Sequence, residues 1–145
     1  MFVRAYVLSV ILAVCSPALS QQASPTLQGS FIAHAGPATY RGKWSARISS
    51  RAPNAAAGSW ILLNDKNDIV LQGTWSAHKS GAGWRGTWRA HVLRGQAYSG
   101  TWTASEPGLG GKTFADMLKA ATKGGASGTW RSNGYGGDWR LAPAP

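Results

Sequence analysis

Acidic residues, cysteine and long apolar runs are what this chain has least of. Five Asp and Glu stand against 15 Lys and Arg in 145 residues, and the single cysteine is Cys15. One cysteine cannot make a disulfide framework within the chain. Five acids leave little material for paired carboxylate chemistry. Glu106 precedes Pro107 with no visible partner, Asp116 fits a helix cap, and Asn64-Asp65-Lys66-Asn67-Asp68 lacks the alternating spacing and distal Glu of a calcium loop. The three histidines, His34, His78 and His91, form no ligand cluster with spacing suited to a metal. Gly108-Leu109-Gly110-Gly111-Lys112-Thr113 lacks the spacing of a phosphate loop, and no nucleophile elbow or dinucleotide fingerprint occurs. Neither catalysis nor a cofactor is expected.

The apolar run Val7–Val14 falls well short of the roughly 20 residues that a membrane-spanning helix needs. With Arg4 before it and Ala18-Leu19-Ser20 after it, it reads as an export signal cleaved ahead of Gln21. The expected organisation is a signal peptide at 1–20, a linker at 21–28 and one domain at 29–142. The expected location is periplasmic or secreted. Cleavage would remove Cys15 and Arg4, leaving no cysteine, no transmembrane segment and a net charge of +9 from 14 basic and 5 acidic residues. Stability would then rest on packing.

What the chain has in excess is tryptophan, 8 residues, and glycine, 19 residues. They recur together. Gly42-Lys43-Trp44, Gly58-Ser59-Trp60, Gly73-Thr74-Trp75, Gly86-Thr87-Trp88, Gly100-Thr101-Trp102, Gly128-Thr129-Trp130 and Gly137-Asp138-Trp139 are copies of one unit, and Gly29-Ser30-Phe31 is a degenerate first copy. Most copies stand 13 to 16 residues apart, the length of one strand and one turn. Around each copy the pattern has period two. Tyr40, Gly42, Trp44, Ala46 and Ile48 alternate with Arg41, Lys43, Ser45, Arg47 and Ser49. One face is aromatic or small and the other polar, as in half-buried antiparallel strands.

Placing Trp over Gly between neighbouring copies fixes a register. Trp60 opposite Gly73 leaves Lys66-Asn67 as the loop, Trp75 opposite Gly86 leaves Ser80-Gly81, Trp88 opposite Gly100 leaves Leu93-Arg94-Gly95, and Trp130 opposite Gly137 leaves Asn133-Gly134. These loops carry residues that tolerate the left-handed conformation. The pattern breaks once, where Thr113 to Asp116 forms a capping box and Phe114, Met117, Leu118 and Ala121 follow at helical spacing. A helix over about 113–123 is therefore expected between the sixth and seventh strands.

The fold class that follows is all-β: an eight-stranded antiparallel up-and-down meander, closed as a small barrel because closure removes the exposed edges. One conflict accompanies it. Closing eight strands requires a stagger, whereas Trp over Gly at every interface brings Phe31 opposite Gly137 with none. A slip of register at residues 49–57 or 105–125 would resolve it, and an open, coiled sheet is the alternative.

For function, the expectation is an exported, non-catalytic binding or structural protein. A barrel of this size has an interior just wide enough for side chains to fill, so the tryptophans are expected first as core filler. Two alternatives name sites. In one, Trp60, Trp75, Trp88 and Trp102 wall a pocket for a small molecule. In the other, Arg41, Lys43, Arg47 and Arg51 form a basic stripe for an anionic envelope glycan or lipid headgroup. Basic and aromatic side chains fall on opposite faces of the strands, so a dedicated nucleic-acid site is not expected. Mid-strand tryptophans also do not make the terminal aromatic girdles of an outer-membrane barrel.

Overall fold

A computed structural model of the chain describes residues 26–142 apart from 50, 82, 92–94, 105–112 and 125, so the expected signal peptide lies outside the described residues. The chain runs β1 (Thr26–Ala35), β2 (Ala38–Ile48), β3 (Ala55–Leu63), β4 (Ile69–Ser80), β5 (Gly83–His91), β6 (Ala97–Ala104), α1 (Phe114–Gly124), β7 (Ser127–Ser132) and β8 (Tyr135–Ala142). The eight strands pair antiparallel in chain order, and β8 returns to β1, closing the barrel. β1 begins at Thr26, so the barrel starts three residues before Gly29. Helix α1 begins where the capping box places it. The Asp116 amide donates to Thr113 Oγ1 at 3.2 Å, and the Thr113 amide donates to the Asp116 carboxylate at 3.3 Å. Among the described residues no helix is long and apolar enough to cross a membrane.

The repeat pairs with itself inside four hairpins, β1–β2, β3–β4, β5–β6 and β7–β8. In each, two aromatic residues face two glycines: Gly29 with Trp44 and Gly42 with Phe31, Gly58 with Trp75 and Gly73 with Trp60, Gly86 with Trp102 and Gly100 with Trp88, Gly128 with Trp139 and Gly137 with Trp130. The rings lie on the glycines. A Cβ added at Gly58 or Gly73 would come within 2.8 Å of the facing indole, and one at Gly100 or Gly128 within 2.7 Å. At seven of the eight glycines (Gly29 excepted) that Cβ would also collide with a carbonyl oxygen of the strand on the other side. Each such glycine is thus held between a ring and a backbone, with no space even for alanine.

The indoles reach further still. Trp75 on β4 crosses Gly58 on β3 and donates its N–H to the Ser45 carbonyl on β2 at 3.1 Å. Trp102 crosses Gly86 to the Ser76 carbonyl at 3.0 Å, and Trp130 crosses Gly137 to the His34 carbonyl at 3.1 Å. One side chain therefore ties three adjacent strands together.

Between hairpins the register differs from the Trp-over-Gly rule. Trp44 faces Trp60, Trp75 faces Trp88 and Trp102 faces Trp130, each a slip of two residues, while Trp139 faces Ala33, a slip of four from Gly29. These slips are the stagger that closure demands. From Thr26 the partners run Arg47, Ala57, Ser76, Thr87, Thr101, Arg131 and Gly136. Gly136 lies three residues before Trp139, the partner of Ala33, and so returns to β1 at Gly36, ten residues from the start. Two residues at three seams and four at the last make up this shear. For eight strands it implies a tilt of roughly 35–45°. Even-numbered slips keep every apolar face inward.

One expected register and one expected loop are corrected accordingly. Trp75 faces Trp88 instead of Gly86, Gly86 faces Ala77, and Ser80 faces Gly83 across the β4–β5 turn, with Gly81 at φ 57°. Gly86 therefore carries the Trp102 ring alone, with the Ser76 carbonyl on its other side. The β3–β4 connection also exceeds Lys66-Asn67. It runs over Asn64–Asp68 with an irregularity at Leu62/Leu63, and Asn64 Oδ1 accepts the amides of Lys66 and Asp68 at 2.9 and 2.8 Å. The Asn133-Gly134 turn is as expected, with φ of 43° and 85°.

This packing sets a mutational test. Gly86→Ala should lower stability in urea unfolding by about 1–3 kcal/mol, and Gly86→Val by more, because the added carbon displaces a ring and a strand. Thr87→Val, on the exposed face, should change it by about 0.5 kcal/mol or less. Equal midpoints for Gly86→Ala and Thr87→Val would contradict the seat assigned to the indole.

Candidate functional site

The two ends of the barrel differ. At one end lie the β2–β3, β4–β5 and β6–β7 connections, and α1 closes it. Phe114 is 1% exposed and meets Trp84 edge-on at 4.8 Å between ring centroids and Trp75 at 5.6 Å. Its amide donates to the Pro53 carbonyl in the β2–β3 connection at 2.9 Å. Met117 and Leu118 follow on the same helical face and pack with Trp44, Ala46, Ile48, Ala77 and Ala104. The apolar stripe legible in the sequence is the floor of the barrel.

Above that floor the tryptophans form two tiers. Trp60, Trp88 and Trp130 touch edge-to-face at 6.3 Å, and Trp75, Trp102 and Trp139 at 6.2 and 5.8 Å. Facing tryptophans at a seam lean apart, each onto the glycines of its own hairpin. The rings lie along the wall and leave the axis open. The result is a cavity of about 480 Å³, lined by both tiers, by Trp44 and Phe31, and by the floor residues Phe114, Met117 and Leu118.

The expectation that tryptophan fills the interior is therefore corrected. Two physical causes act together: the shear of ten widens the barrel, and glycine seats let the indoles lie flat instead of pointing at the axis. Trp60, Trp75, Trp88 and Trp102 are all brought to this one cavity. Trp44, Trp130, Trp139 and Phe31 join them. They belong to the same repeat, which is the signal that could have named them at the outset.

The cavity's chemistry is almost wholly apolar. Among the described residues no charged side chain lines it. The indole N–H groups are turned to the wall: those of Trp60, Trp75, Trp102 and Trp130 donate to backbone carbonyls. Those of Trp44, Trp84, Trp88 and Trp139 are buried without an acceptor among the described residues, each at a cost of about 1–3 kcal/mol. A charged group entering this space would lose its hydration and find no charged partner among the described lining residues.

Tyr40 and Val70 line the cavity and are themselves solvent-exposed, so it opens at the end opposite α1, the end of the hairpin turns.

The remaining candidates lie outside. Arg41, Lys43 and Arg47 alternate along the exposed face of β2, and Arg51 is exposed in the following turn. Arg41 approaches Asp65 at 3.5 Å across open solvent, a pair that contributes little. His34 Nδ1 meets Asp138 Oδ1 at 2.5 Å across the β1–β8 seam, and His78 and His91 are exposed on the outer face. Among the described residues no group of three potential metal ligands occurs.

The floor can be tested apart from any ligand. Phe114→Ala should cost about 3–5 kcal/mol in urea unfolding and shift tryptophan emission to the red as water reaches the lower tier. An unchanged midpoint and an unchanged emission maximum would show that α1 does not close the barrel.

No known family model matches this chain, and no curated protein or solved structure matches it either.

Proposed function

We propose that this is an exported, non-catalytic barrel that binds a neutral, predominantly apolar small molecule in its interior. One observation carries the reading: a cavity of about 480 Å³ walled by indoles, within the range of small-molecule sites. The apolar walls select against charge, since the described lining residues offer a buried ion no charged partner. Rigid indoles seated on glycine offer a preformed surface, so little ordering is needed when a ligand enters. The export part of the proposal rests on the signal-like pattern of Arg4, Val7–Val14 and Ala18-Leu19-Ser20.

A titration with N-phenyl-1-naphthylamine, followed by energy transfer from tryptophan, tests the reading. The probe should bind with saturation at one site. Ala33→Phe, which projects a ring into the cavity beside Trp139, should weaken binding by at least about tenfold while far-UV circular dichroism stays unchanged. Absence of saturable binding by this probe and by neutral long-chain alcohols would overturn the proposal. So would undiminished binding by folded Ala33→Phe.

A further inference from the structure

The exposed large apolar side chains of the described residues are Tyr40, Ile69, Val70, Tyr98 and Tyr135, and all five sit at the open end. Tyr40 follows the β1–β2 turn, Ile69 and Val70 begin β4, Tyr98 opens β6 and Tyr135 opens β8. The end closed by α1 has none among the described residues. An apolar collar confined to the mouth of an apolar cavity marks an interaction surface.

The basic residues give that surface its partner. Each rim tyrosine has an arginine beside it on the outward face: Arg41 next to Tyr40, Arg89 opposite Ser99 next to Tyr98, and Arg131 opposite Gly136 next to Tyr135. Lys66 stands in the β3–β4 connection beside Asp65 and Asp68, and Asp138, paired with His34 near the end of β1, is a third acid toward this end. The chain as a whole carries a net charge of +10. Tyrosine and arginine alternating around one rim match a bilayer interface, with rings at headgroup depth and guanidinium groups on lipid phosphates.

We propose that the mouth docks on an anionic bilayer surface with the barrel axis steep to the membrane and α1 facing away. This orientation opens the cavity toward the acyl region and offers an apolar ligand a path that avoids water. The docking rests on the rim alone; the ligand's path also rests on the cavity reading above.

Co-sedimentation of the purified protein with vesicles tests the docking separately from the cavity. Vesicles of equal parts phosphatidylglycerol and phosphatidylcholine should bind the protein at least about tenfold more tightly than phosphatidylcholine alone, and less tightly as salt rises. Two charge-matched triple variants then read orientation. Arg41→Gln/Arg89→Gln/Arg131→Gln, at the mouth, should lose at least about tenfold in affinity. Arg47→Gln/Arg85→Gln/Arg140→Gln, toward the closed end, should lose distinctly less. Tyr98→Ser/Tyr135→Ser should also weaken binding while N-phenyl-1-naphthylamine still saturates the cavity. Equal losses in the two arginine variants would show unoriented charge attraction and overturn the proposal. Failure of the wild-type protein to bind anionic vesicles at low salt would overturn it too, as would a fall in solution mass from dimer to monomer in the tyrosine variant, which would assign the collar to a second copy of the chain.

Discussion

The contact on which this structure depends is an indole laid across the bare backbone of a glycine in the neighbouring strand. Glycine is a poor strand residue: it adds no side chain to the sheet and loses much freedom on folding. Here a cross-strand tryptophan covers the exposed backbone, as in the aromatic rescue known for sheet glycines. Because two Gly-x-Trp units running antiparallel cover each other, each hairpin is a self-complementary pair of seats. Trp75, Trp102 and Trp130 extend the contact by donating to a carbonyl two strands away. The ring thereby fixes spacing, register and local curvature together.

A sheet built only of such hairpins in phase could not close. The four slips between hairpins reconcile local pairing with closure, and their even size keeps the aromatic face inward. The same slips bring tryptophans face to face at the seams, where they lean apart onto separate glycines. A wall lined by flat rings leaves space along the axis. The cavity is in this sense a consequence of the repeat: the residue that secures the strands also clears the interior, and α1 needs only to close one end.

Much of this was legible in the residues themselves. Period-two alternation gave the inward face, Asn133-Gly134 gave its turn, and Thr113 with Asp116 gave the helix start to within one residue. These signals are local, and each is enforced within a few residues of chain. The Trp75–Trp88 seam was not legible. Its turn composition suits either of two registers, Ser80-Gly81 as the loop or Ser80 paired with Gly83, and the choice is made by closure around all eight strands. Connections of uncertain pairing, β2–β3 and β6–β7, were the places where a slip was anticipated, and both slip by two. The open interior was hidden for a related reason. Side-chain volume reads as filling when direction is unknown, and ring direction here depends on glycines of the adjacent strand. Four tryptophans were singled out for the cavity, yet Trp44, Trp130 and Trp139 carry the same tripeptide and share the same wall.

Hydrogen exchange of the indole N–H groups in ¹⁵N-tryptophan-labelled protein tests this account most directly. The Nε1 protons of Trp75, Trp102 and Trp130 should exchange as slowly as the backbone amides of the strands that each indole joins, since releasing them requires three strands to separate. Exchange of those three indoles at the rate of an unfolded chain, while the backbone of the same strands stays protected, would contradict it.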